Sequence, residues 1–164
     1  MKKTSIVILF TLLLTISALA QKDDSKNALG VVNQLFTEMA GHNPAGILAL
    51  YTPESQLVAL IKNKEGKSVT RVFTGEAFSQ MFAVKRGEIK ENMYAPEVKI
   101  FGDLALVWGR YVFTSDGKLS HCGVNSFHLV RDGESWKIAN ASSTIEPQGC
   151  TEAEKGMVKD EKTK

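Results

Sequence analysis

The chain of 164 residues carries 20 Lys and Arg against 18 Asp and Glu, and 43% of it is hydrophobic. Both surplus cations, Lys2 and Lys3, sit in a leader-like segment, so the remainder is formally neutral. A neutral domain without a Lys/Arg stripe argues against nucleic acid as a partner, and two cysteines without a C-x-x-C give no support to a thioredoxin-type or zinc-ribbon reading.

The leader comprises Lys2 and Lys3, an apolar run over Ile6–Ile16, and the small-residue site Ala18-Leu19-Ala20. These are the three parts of an export signal. The apolar run is too short for a permanent membrane span, and no cysteine near the cleavage point offers a lipid anchor. Residues 1–20 are therefore expected to be removed, leaving a periplasmic or secreted chain that starts at Gln21 and has no stable membrane anchor. About 144 residues remain, enough for one domain burying roughly two-thirds of its unfolded surface.

Residues 21–26 are polar and read as a flexible start. Ala28, Val32, Leu35, Phe36 and Met39 then recur at helical spacing, with Ser25 or Asn27 as cap and Gly41 as stop. Asn43-Pro44 opens a short second helix carrying Ile47, Leu48 and Leu50, which must end before Pro53. Gln56–Asn63 and Ser68–Phe73 read as two strands around Glu65-Gly66, and Thr74 caps a third helix with Phe78, Met81 and Phe82 on one side. Glu88–Phe101 is a long strand, broken or bent near Pro96. From Asp103 to Thr144, apolar and β-branched runs are separated by Asp116-Gly117 and Asp132-Gly133. Asp-Gly between such runs signals a hairpin, because both residues tolerate positive φ. The tail, residues 147–164, is charged and lacks aromatics, and is expected to be disordered after about 151.

Helices first and then a meander of strands make an α+β domain, with helices covering one face of a curved sheet. Particular residues sharpen this reading. The helical opening, His42-Asn43-Pro44 before Leu48-Ala49-Leu50-Tyr51, Gly102-Asp103-Leu104-Ala105, Val107-Trp108-Gly109-Arg110-Tyr111, Gly123-Val124-Asn125-Ser126-Phe127 and Trp136-Lys137-Ile138-Ala139 together resemble the nuclear transport factor 2-like superfamily. The resemblance covers residues 27–146 and is closest to the SnoaL-like group of small bacterial domains. It implies a cystatin-like cone, with N-terminal helices packed on a curved antiparallel sheet. It implies no single activity, since that superfamily includes isomerases, cyclases, dehydratases, ligand binders and inert partners.

A two-residue turn at Asp132-Gly133 pairs Arg131 with Glu134. Leu129 then faces Trp136, Phe127 faces Ile138, Asn125 faces Asn140, and Gly123 faces Ser142. Period 2 puts these residues on one face, apolar near the turn and small and polar at the far end. That is the shape of a pocket in which Asn125, Asn140 and Ser142 meet a ligand, or in which the two amides bond only each other or water. The strand over residues 104–114 has two settings. A strict turn from Ser115 to Lys118 puts Trp108 and Arg110 on the Asn125 face, whereas a bulge or longer loop puts Ala105, Val107, Gly109 and Tyr111 there. Small Ala105 and Gly109 favour the second setting, as does the resemblance. Tyr111 is then a pocket residue, and Trp108 with Arg110 an outer dimer interface. On the long strand, the parity of Asn92, Tyr94, Pro96, Val98 and Ile100 is expected to face the helices. This brings Tyr94 to the pocket and sends Glu91 and Glu97 to solvent, unless Pro96 introduces a bulge.

The catalytic inventory is thin. None of the paired inward positions is Asp, Glu or His. Asp103 sits on a turn, His42 follows a helix end, His121 lies near a strand start, and His128 falls on the outer parity. No spacing matches a metal site, a nucleophile elbow or a phosphate loop, so neither metal nor cofactor is expected. In an exported chain Cys122 and Cys150 suggest one disulfide, with free thiols as the alternative; the bridge would pin the tail near the sheet edge, over the open end of the cone. The expected function is a non-catalytic, homodimeric module binding a small apolar ligand or a partner. An isomerase, cyclase or dehydratase acting on a small organic substrate is the alternative, which an ionisable side chain at the cavity floor would favour.

Overall fold

The computed structural model describes residues 24–161 except 64 and 86, with side chains to residue 158. The expected export leader lies outside the described residues. Helix α1 (24–40) buries the stripe of Ala28, Val32, Leu35, Phe36 and Met39. It is already helical at residues 24–26, which the sequence suggested were loose. Helix α2 (Pro44–Ala49) starts as expected, with the Asn43 side chain accepting from the Gly46 N–H at 3.1 Å and Pro44 in the first turn. Strand β1 (Tyr51–Lys62) begins earlier than the sequence suggested. Strand β2 (Ser68–Thr74) follows, then α3 (Gly75–Gln80), capped by the Thr74 hydroxyl accepting from Ala77 N–H at 3.1 Å. The remaining strands are β3 (Ile89–Phe101), β4 (Leu104–Ser115), β5 (Lys118–Asp132) and β6 (Ser135–Ile145), and helix α4 (Glu152–Glu161) closes the described chain.

The six strands form one sheet in the order β2-β1-β6-β5-β4-β3. Every neighbouring pair is antiparallel except β1 and β6, which run parallel. The sheet is therefore mixed rather than purely antiparallel, because β6 returns beside β1 only after the whole meander has been laid down. One face packs on the helices: Leu35 and Phe36 of α1 and Ile47 of α2 share a core with Val107, Phe127, Leu129, Trp136 and Ile138.

Three bulges decide which side chains reach that face. The β4–β5 hairpin has a strict turn, with Ser115 opposite Lys118, yet Phe113 pairs with His121 while Thr114 pairs with Leu119. Ser120 is thus an extra residue, and it inverts the strand so that Ala105, Val107, Gly109 and Tyr111 point inward while Trp108 stays 42% exposed. In the β5–β6 hairpin Asp132 pairs with Ser135, and the register then slips between His128/Asn140 and Leu129/Ile138. Ala139 is the extra residue there. In β3, Tyr94 pairs with Arg110 and Glu97 with Trp108, leaving Ala95 and Pro96 opposite Gly109 alone. Ala95 takes φ 46 to make this step. A Cβ at Gly109 would stand 3.1 Å from the Pro96 Cα, which explains the glycine there.

The tail is not disordered after residue 151, as its composition suggested, but forms α4 on the other face of the sheet. Cys122 and Cys150 form a disulfide with Cα atoms 5.5 Å apart. Since Cys122 pairs with Val112 on the outward parity, the bridge lies under α4 and not over the open end of the cone. It closes a 28-residue separation, worth about 3.5 kcal/mol in the chain-entropy model. A capping box then starts the helix. Thr151 Oγ1 accepts from the Glu154 N–H at 3.3 Å, and the Glu154 carboxylate accepts from the Thr151 N–H at 2.6 Å. The same carboxylate, fully inaccessible, binds Arg110 Nε at 2.7 Å and the Tyr94 hydroxyl. Cys122, Cys150 and Glu154 hold their ligand-type atoms within 4.8 Å of one another, but all three are engaged in this clasp.

Candidate active site

Between α1, α3 and the concave face of the sheet lies a cavity of about 370 Å³. Its walls are mostly apolar and aromatic, including Phe36, Tyr51, Phe73, Phe78, Phe113 and Phe127. Polar groups are few, and they converge. Among the described residues Glu91 is the only carboxylate of the lining. Asn125 Nδ2 donates to its Oε1 at 2.6 Å, while Asn125 Oδ1 accepts from Ser143 Oγ at 2.6 Å. That chain fixes the amide orientation and holds one carboxylate oxygen. Glu91 is surrounded by protein yet lines the cavity, so a molecule held there meets it. Burial pushes its pKa up to about 7, against which the Asn125 hydrogen bond works.

Two tyrosines flank this group and differ in one respect. The Tyr111 hydroxyl donates to the Thr144 carbonyl at 2.8 Å. The Tyr51 hydroxyl is buried and has no partner among the described residues. Burial, and secondarily the Glu91 charge, raises both phenols above their ordinary range, so both stay protonated. His121 stacks on Phe113 with ring centroids 4.7 Å apart, and burial lowers its pKa to about 4. It is neutral at physiological pH.

Of the residues expected in the pocket, the structure places Asn125 and Tyr111 on the cavity wall. Asn140 and Ser142 are exposed on the other face, because the extra residue Ala139 hands their inward places to Ala141 and Ser143. Gly123 does not leave space for a ligand; a Cβ there would collide with the Thr144 carbonyl oxygen. Tyr94 is also outside, bound to Arg110 and Glu154. Counting one parity through Pro96 produced that error and sent Glu91 to solvent. The bulge at Ala95-Pro96 reverses the strand, so Glu91 and Met93 point inward before it, and Val98 and Ile100 after it. Trp108 and Arg110 lie on the outer face as expected, although Arg110 Nε is taken by Glu154. Sequence reasoning thus missed Glu91, Tyr51 and Ser143. Pro96 inside a strand was the signal that could have found the first.

No protein-family model matches the sequence, and no curated protein does. Solved structures do match. A nuclear transport factor 2-like protein with a cystatin-like fold from Novosphingobium aromaticivorans aligns with a TM-score of 0.63 at 9% identity, over 88% of this chain and 96% of that one. A nuclear transport factor 2-like superfamily protein from Salmonella enterica gives 0.59 at 11% identity, over 83% and 97%. A protein of the same family from Streptomyces avermitilis gives 0.59 at 14% identity, over 76% and 97%. The chain has the cystatin-like, nuclear transport factor 2-like fold. At such identities the likeness carries the fold and no chemistry.

Proposed function

We propose that this protein is an acid–base catalyst acting on a small, mainly apolar organic molecule, with Glu91 as the group that moves the proton. The carrying observation is a carboxyl group recessed in an aromatic cavity, held by one neutral amide and pushed up to about 7. A base is most effective when its pKa lies near the working pH. Glu91 would take a proton from carbon beside a carbonyl. The unpartnered Tyr51 hydroxyl would donate to the oxygen on which charge develops, a stabilisation that is strong where water is excluded. Returning the proton to another carbon gives isomerisation; expelling a leaving group gives elimination. This inverts the weighting drawn from the sequence, because the ionisable group that would favour an enzyme lies in the cone.

Base-promoted ring opening of nitrobenzisoxazole, which needs one proton abstraction in an apolar site, tests the reading without knowledge of the natural substrate. The rate should rise with pH through about 7 and then level off. Glu91→Gln should lower it roughly 100-fold. A Glu91→Gln variant as fast as the parent protein rejects the assignment.

We also propose that the chain acts as an exported homodimer. The disulfide fits an oxidising compartment, and no helix among the described residues is long and apolar enough to cross a membrane. Trp108 supplies an exposed aromatic anchor on the part of the outer face that α4 leaves open. Native mass spectrometry of the exported protein should show paired chains beginning at Gln21, and single chains for Trp108→Ala. A parent protein of single chains overturns the dimer.

A further inference from the structure

The cavity contains a second charged group that proton transfer at Glu91 does not use. Arg71 lies on β2, an edge strand, where the register sets it beside Ala59 and sets Phe73 beside Leu57. All four residues line the cavity. Arg71 is exposed, as is Met81 of the same lining, so these two form the rim. Glu91 sits on β3, the opposite edge of the sheet, which curls round to the same space.

Among the described residues Arg71 makes no ion pair or hydrogen bond. The other described arginines are both engaged: Arg110 by Glu154 and Tyr94, and Arg131 by Asp24 and Asp103. His121, the other basic residue of the lining, is neutral above about pH 4. Among the described residues the cavity therefore presents one cation, at its rim, above aromatic walls. A guanidinium fork matches carboxylate, sulfonate or phosphate oxygens in pairs, and it keeps its charge at any physiological pH.

We infer that Arg71 selects molecules carrying an anionic group: an apolar ring system or chain fills the interior, and its anion docks on Arg71 at the rim. The inference deepens the acid–base reading and rests on it in taking this cavity as the substrate site. Placement of the two charges on opposite edge strands is part of the logic. An anion lodged near Glu91 would oppose ionisation of the base, whereas one held at the rim orients the substrate and leaves the base free.

Two fluorescent probes with the same aromatic frame separate charge from burial: anilinonaphthalene sulfonate, which is anionic, and N-phenylnaphthylamine, which is neutral. Arg71→Gln should weaken sulfonate binding about tenfold and leave binding of the neutral probe and the urea midpoint unchanged, while Arg71→Lys, which keeps the charge but not the fork, retains only part of the sulfonate affinity. Equal losses for both probes, or no loss for the sulfonate, overturn the inference. Glu91→Gln should still bind the sulfonate in an Arg71-dependent way, so a failed base assignment and a failed anion site give different results.

Discussion

Glu91 and Glu154 are both withdrawn from bulk water, on opposite faces of one sheet, and they end at opposite ends of the carboxylate range, at about 7 and about 2. Burial raises both. What differs is the company each keeps. Around Glu154, hydrogen bonds from Arg110, Tyr94 and Thr151 more than offset the burial, and the carboxylate holds α4 to the sheet. Around Glu91 a single neutral amide donates, and no cation is paired with it among the described residues. A carboxylate surrounded by donors has done its work when the chain has folded. One left short of donors stores a proton affinity that folding does not consume, which is the property of a site.

Stability separates the two carboxylates most sharply at Glu91. Its folded pKa of about 7 exceeds the ordinary 4.5, so the folded state binds the proton more tightly than the unfolded chain. Stability from this group is fully present below about pH 4.5 and is lost as the pH rises through about 7. The loss approaches about 3 kcal/mol. Glu91→Gln should therefore be more stable than the parent above about pH 8, by up to that amount, and indistinguishable below about pH 4.5. Urea titrations at both ends measure it. A variant that is destabilised at high pH would mean that Glu91 is a structural carboxylate like Glu154.

The fold was largely legible, because its signals are local. The apolar stripe of α1, the Asn43-Pro44 start, the Thr74 cap and the Asp116-Gly117 turn each act within a few residues and sit where the pattern put them, whereas the second turn falls one residue later than Asp132-Gly133, at Gly133-Glu134, with Asp132 opposite Ser135. The site was not, because a side chain's face depends on every residue between it and the reference point. Ser120, Ala139 and the Ala95-Pro96 step each add a residue that local propensity does not demand, and each moves all later side chains to the other face. The small residues Ala105 and Gly109 betrayed the first. Nothing in Ser135–Ile145 betrayed the second, so Asn140 and Ser142 were assigned to a pocket that holds Ala141 and Ser143. The tail was misread differently. Its helix has no continuous apolar stripe and is held by a disulfide and by the ion pair of the buried Glu154 carboxylate with Arg110, yet Thr151-x-x-Glu154 is a capping box spelled out in the sequence.

Glu154 contributes a smaller effect of opposite sign. Its folded pKa of about 2 lies below the ordinary 4.5, so its contribution is present above about pH 4.5 and is lost as the pH falls through about 2. Breaking a buried ion pair can cost more, but the Arg110 side chain is 40% exposed, and solvent can take over part of its hydration, which brings the expected loss for Glu154→Gln near pH 7 to about 2 kcal/mol. At about pH 2 the variant and the parent should converge. The parent's stability should consequently climb from about pH 2 to 4.5 through Glu154 and decline from there to about 7 through Glu91. The two groups share no partner and sit on different faces, so the double variant should lose both limbs additively. Loss of the acid limb in Glu154→Gln, with the neutral limb intact, is the expected outcome of urea midpoints measured across that range. If the acid limb persists in Glu154→Gln, some other carboxylate fastens α4, and the clasp of Glu154 with Arg110 and Tyr94 is not what holds the tail.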